Sequence, residues 1–205
     1  MESNLKPITY NKEINYISSG VSLFVGLNNG LTFINHGDLF NLVKCILTIL
    51  LSYLFLERSS ALVTSSKLKD VIISVTHVII PVFLTKSELS IIPRLSGYLL
   101  IFSGTTISTL GFFNLWKNFG VLPSLREVTS QGIYQYIRHP IYLGYLVSIA
   151  GWILMNISTM NLILLLLYLP LTILRMYAEE NILSTSLDYQ AYSVRVRARI
   201  IPWLI

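Results

Sequence analysis

The chain has one cysteine, Cys45, and it lies inside an apolar run. No intramolecular disulfide can form, and the thiol reads as a small buried hydrophobe. Charge is scarce too. Charged residues are 12% of the 205, where a water-soluble domain carries about 25%. With 53% hydrophobic residues and a mean hydropathy of +0.64, that shortage points to an integral membrane protein. The three histidines, His36, His77 and His139, are scattered and form no ligand spacing. A di-iron membrane desaturase or a zinc protease is therefore excluded, and no metal is expected. There is no P-loop lysine motif, internal repeat or low-complexity tract. The polar first fifteen residues do not lead from a basic segment into a cleavable apolar core, so no removed signal peptide is expected. The final IPWLI contains no cysteine, so the chain is not expected to be prenylated there.

What the chain does have is apolar runs, at 16–34, 39–56, 71–84, 95–116, 141–155 and 162–176. A spanning helix needs about 20 residues. The second and fourth runs meet that length directly. The first is diluted by serines and asparagines, and the third, fifth and sixth need flanking residues or local thinning of the bilayer. The expected fold is all-α: a polytopic transmembrane helical bundle of five to six spans with a C-terminal interfacial segment. It divides into N-terminal transmembrane helices (1–117) and a second region (118–205) with a polar loop, the last two spans and a tail. If six runs cross, twelve of the fifteen Lys and Arg fall on the side of the termini. Lys86 and Arg94 lie opposite, and Lys44 lies within a run. The positive-inside rule then puts both termini in the cytoplasm. The pI near 9.3 fits contact with anionic headgroups rather than nucleic acid, because the basic residues sit in short pieces between apolar runs.

Small residues mark helix faces. Gly97, Gly104, Ser108 and Gly111 share one face of the fourth run, and Gly144, Ser148 and Gly151 one face of the fifth. Such stripes allow close approach of membrane helices. Gly26 and Gly30 form a GxxxG that could serve a dimer, although nothing fixes the oligomeric state. Asn156 to Asn161 makes a short turn joining the last two runs into a helical hairpin, and Pro170 is expected to kink the sixth. In the tail, Arg195, Arg197 and Arg199 alternate with Val196 and Ala198, as an extended segment against headgroups would. Trp203 is placed to anchor at the interface.

Two polar stretches interrupt this frame. Residues 132–144 read GIYQYIRHPIYLG and residues 175–183 read RMYAEENIL. Each has a plain structural account. Pro140 suits a first helical turn, His139 could cap that turn, and Arg138 could reach headgroup phosphates. Arg175 and Glu179, four apart, could be a surface ion pair. Yet polar groups at membrane depth are costly and usually functional, and two adjacent carboxylates beside an anionic surface call for a cation.

Together these residues resemble the membrane-embedded isoprenylcysteine carboxyl methyltransferase family and its phospholipid methyltransferase relatives. The resemblance rests on Val128-Thr129-Ser130, Gly132-Ile133-Tyr134, Arg138-His139-Pro140-Ile141-Tyr142 and Glu179-Glu180-x-x-Leu183. Tyr189-x-x-Tyr192 and the basic stretch ending Ile201-Pro202 complete it. It covers about 118–202, with Gln131 standing as one extra residue before Gly132. It implies an S-adenosylmethionine-dependent enzyme. By position, Leu125, Arg126, Glu127, Val128, Tyr134, His139, Pro140, Ile141, Tyr142 and Glu179 would line the S-adenosyl-L-methionine pocket, with Glu180 and tyrosine faces adding to cation binding. Arg175 would be the catalytic, substrate-contacting residue. The Gly-rich loop of soluble methyltransferases is absent.

The expected partners are a lipophilic or prenylated acceptor and membrane lipids. A carboxylate acceptor, ionised at neutral pH, needs no general base, whereas a phospholipid amine with a pKa near 10 does. A phospholipid amine, a small thiol, or a non-catalytic transporter or scaffold are the alternatives.

Overall fold

The computed structural model describes residues 5–6, 12–37, 39–65 and 67–201. Glu2, Pro202 and Trp203 lie outside the described residues. Among those described, helices α1 (Lys12–His36), α2 (Leu39–Glu57), α3 (Leu68–Ile79), α4 (Arg94–Leu115), α5 (Pro140–Met155), α6 (Thr159–Leu183) and α7 (Leu187–Arg195) make an almost wholly α-helical protein. Four of them, α1, α2, α4 and α6, are long and apolar enough to cross a membrane. The 16 residues of α5 give about 24 Å of helix at 1.5 Å per residue. The 12 residues of α3 continue into a 3-10 turn, Ile80–Phe83, because Pro81 removes the N–H that the next α-turn would use.

Where α4 meets α5, the backbones touch through the two stripes of small residues. A Cβ on Gly104 would come within 2.5 Å of the Gly144 carbonyl oxygen, and one on Gly151 within 2.8 Å of that of Gly97. Both lie inside the range that real side chains avoid, so only glycine allows this approach. The GxxxG of α1 is used in the same way, against α2. A Cβ on Gly26 would lie 2.9 Å from the Ile49 side chain and one on Gly30 3.2 Å from Cys45. That face is therefore filled within the chain and is not left for a dimer. Ser19 and Ser52 hydrogen-bond across the same pair of helices at 2.9 Å.

The connections sort to two ends of the bundle. At one end a small sheet not foreseen from the sequence joins β1 (Leu5–Lys6), β2 (Val63–Ser65) and β3 (Ser124–Leu125) in that order, both pairs antiparallel. It unites the segment before α1 with the loops after α2 and α4. At the other end the α5–α6 turn meets the loop before α4. Ile157 N–H donates to Leu89 O at 2.8 Å, and the fully buried Asn161 accepts from Thr85 N–H at 3.0 Å and donates to Thr85 O at 2.9 Å. Ser158 caps α6 by accepting from Asn161 N–H. Helix α6 continues through Pro170 as one helix. Although α5 and α6 are consecutive, α5 packs mainly on α4 and α6 mainly on α3.

Candidate functional site

The site begins with a turn that only its own sequence allows. Gly132 has φ +60°, a left-handed value that glycine adopts freely. Asn114 of α4 sits against its missing Cβ and accepts from Ile133 N–H at 3.0 Å. A single 3-10 turn, Gly132–Gln135, follows, and the chain reaches Pro140 at the first position of α5. Alongside runs the tail: Arg138 N–H donates to Ala198 O at 2.9 Å and His139 N–H to Arg199 O at 2.8 Å. The tail is fixed by the inner face of α7, where Tyr189, Tyr192 and Val196 pack on Tyr134. The Tyr192 hydroxyl donates to Tyr134 O at 2.7 Å.

These contacts set aside the plain structural account of His139 and Arg138 and correct the expectation for Arg199. His139 is the residue before α5 but makes no capping bond with its side chain. Arg138 does not reach outward to phosphate: its Nη1 lies 2.8 Å from Glu180 Oε1. Arg199 turns inward as well, with its Nε 2.9 Å from Glu180 Oε2. His139 Nε2 completes the set at 3.1 Å from Glu180 Oε1. The two adjacent carboxylates therefore have different fates. Glu180 is satisfied by three internal partners and is not among the residues lining the cavity, contrary to the expectation that it would bind a ligand cation. Glu179 accepts from the Tyr142 hydroxyl at 2.5 Å and from Arg175 Nε at 3.4 Å, and it lines the cavity.

Arg175 projects from α6 into a cage built by three other segments. Its Nη1 lies 3.3 Å from Ser74 O and 3.3 Å from His77 Nδ1, both on α3. Its Nη2 donates to Val121 O at 2.7 Å. The guanidinium also stands 5.5 Å from the Tyr142 ring centroid. A guanidinium has five N–H donors, so one remains for an acceptor in the cavity that Arg175 lines.

That cavity has a volume of about 450 Å³, within the range of small-molecule sites. Its lining includes Arg126, Glu127, Val128, Tyr134, His139, Ile141, Tyr142, Arg175 and Glu179, nine of the residues expected from the sequence. Leu125 and Pro140 are buried but do not line it. The apolar part is walled by Ile17 and Val21 of α1, Leu51 and Phe55 of α2, Val78 of α3 and Phe112 of α4. The residue set suits a compact organic cation: a half-buried carboxylate, several tyrosine faces and a histidine ring stacked on Tyr142 at 5.5 Å. Sulfonium and ammonium groups are held by such carboxylates and rings.

In the loop, burial and then the neighbouring Arg58 lower the Arg126 guanidinium to about 9. Arg126 is tied down by Ser59 O at 3.2 Å and by the Ser124 hydroxyl. Burial, with Glu179 and Tyr192 adding to it, pushes the Tyr134 hydroxyl well above its usual range, so it stays protonated as a neutral part of the wall.

Several site residues were not singled out from the sequence. Asn114 and Val121 act through the fold or the backbone and carry no local signal. His77 and Ser74 did carry one: Asp70, Ser74 and His77, buried together on α3, repeat at helical spacing in an otherwise apolar run.

Residues 92–189 match the family model for phospholipid methyltransferase. No curated protein and no solved structure matches the chain. The matched stretch contains α4, the loop, both polar motifs and the start of α7. The family is one of membrane methyltransferases that generally use S-adenosylmethionine. The stretch 92–189, which supplies every charged cavity residue named above, is thus similar to the phospholipid methyltransferase family, the family of the isoprenylcysteine carboxyl methyltransferase-like membrane enzymes.

Proposed function

We propose that the chain is an S-adenosylmethionine-dependent methyltransferase that esterifies a carboxylate on a lipophilic or prenylated acceptor, with its site and both termini on the cytoplasmic side. The observation that carries this reading is Arg175. One of its donors is left after Glu179, Ser74, His77 and Val121 are served, and it lines a cavity that α1, α2 and α4 also line with apolar side chains. A guanidinium with a spare N–H holds a carboxylate without removing its charge.

The bound donor would supply an electrophilic methyl group on a sulfonium. Glu179 would hold the cation, with Tyr142 keeping that carboxylate in place and the Tyr134 and Tyr142 faces completing the cradle. Arg175 would position the acceptor oxygen, and the apolar walls would exclude water and take its hydrocarbon chain. A carboxylate, ionised at neutral pH, then needs only placement and desolvation. An amine acceptor would first have to lose a proton. Glu180 is unsuited to that task, being committed to Arg138, His139 and Arg199.

The phospholipid-amine reading is the second one, and the description of the matching family favours it. The two separate by product chemistry. The full chain in lipid vesicles is given methyl-labelled donor and either an S-farnesylated cysteine, phosphatidylethanolamine or a small thiol. The carboxylate reading expects label on the farnesylated cysteine, released as methanol by mild alkali. Alkali-stable N-methyl or S-methyl product, or no transfer to any of the three, contradicts it.

A further inference from the structure

We propose that His77 is a positioning residue for Arg175, so that the reacting machinery extends outside the matched stretch into α3. The inference rests on the role given to Arg175 above. The guanidinium has only N–H donors to offer, so the His77 Nδ1 atom facing it at 3.3 Å must be the acceptor nitrogen. The ring proton is then on Nε2, which donates to Thr172 Oγ1 at 3.0 Å. That hydroxyl spends its own proton on Tyr168 O at 2.9 Å. Each step fixes the next, and the direction of every donor follows from the guanidinium outward.

The ring has no room to flip and exchange its two nitrogens. It is 1% exposed, stacked on Tyr168 at 4.4 Å and edge-on to Tyr142 at 5.5 Å. His77 therefore joins two of the side chains that meet Glu179: it fixes the Nη1 corner of Arg175 and braces the ring of Tyr142. Without it, Arg175 would keep Ser74 O, Val121 O and Glu179 but could turn its fork. The remaining donor would no longer point to one place. A residue that acts through another in this way alters use of the acceptor more than binding of the donor.

Two readouts test this. The first needs no acceptor and so stands even if the proposed reaction is wrong. In the full chain in micelles, labelled with nitrogen-15 histidine and assigned through substitutions at His36 and His139, His77 is expected to show an unprotonated Nδ1 and a protonated Nε2. A proton on Nδ1, or rapid averaging of tautomers, overturns the inference.

The second compares His77→Leu with His77→Asn, whose amide oxygen can replace Nδ1, using the farnesylated cysteine as probe. His77→Leu is expected to lower kcat/KM for the acceptor by about ten- to hundredfold, the scale of an unsatisfied buried charged donor. Affinity for S-adenosylmethionine should stay within about threefold, and His77→Asn should recover most of the loss. The effect should also fail to add to that of Arg175→Lys. Parallel loss of donor affinity and turnover, or full additivity with Arg175→Lys, assigns His77 a merely structural part and overturns the inference.

Discussion

The α4–α5 seam and the cluster around Glu180 lie close together and are held by opposite means. In the seam, Gly104, Ser108, Gly144 and Ser148 bring two backbones into contact, and there is almost no side chain to reposition. In the cluster, one carboxylate is gripped by Arg138 and His139 from just before α5 and by Arg199 from the tail. The seam gains its strength from shape, and in lipid that is what small residues provide. The cluster gains it from charge at low exposure, where a complete set is stable and a broken one is costly. The first sets how far α5 lies from α4. The second sets where the end of α5 stands relative to α6, and so how Tyr142 meets Glu179.

The largest expected effect comes from breaking the charged side of this comparison. Glu180→Gln leaves Arg138, His139 and Arg199 facing one another, and should lower stability by about 3–5 kcal/mol. Unfolding in mixed micelles would measure it, and a loss as small as that of an exposed pair would show that water screens the cluster. Overfilling the dry side comes next. A Cβ at Gly144 would already lie 2.6 Å from Ser108 N, so Gly144→Leu should cost about 1–3 kcal/mol in the same assay. A tolerated leucine would mean that the helices are not in backbone contact. The smallest effect sharpens the contrast. Nothing lies within 4 Å of a Cβ at Gly20 on α1, so Gly20→Ala should stabilise by at most about 1 kcal/mol; a marked loss would place an unseen partner on that face.

Much of this was legible in the sequence, and the reasons differ by region. The stripes of small residues were readable because helical spacing puts them on one face. That they meet each other was not readable, since either stripe could have faced another helix. The residues carried over by the resemblance include nine that line the cavity, six of them inside the two polar stretches. The motifs did not tell Glu179 from Glu180, which are neighbours in sequence and differ only in the face of α6 they occupy. The inward turn of Arg199 depends on the tail running beside Arg138 and His139, a pairing far apart in the chain. His77 was hidden for the opposite reason: its signal was local and helical, but it lay in a run read only for hydrophobicity.

The central claim is that Glu179, held by Tyr142 and Arg175, binds the cation of the methyl donor. Titration calorimetry of S-adenosylmethionine into the full chain in micelles, beside Glu179→Gln, tests it most directly. The account predicts saturable binding that the variant weakens by about tenfold or more, as loss of a charge-assisted contact does, with its melting temperature unchanged. A chain that does not bind the donor, or a Glu179→Gln variant that binds it as well as the native protein, would contradict the account.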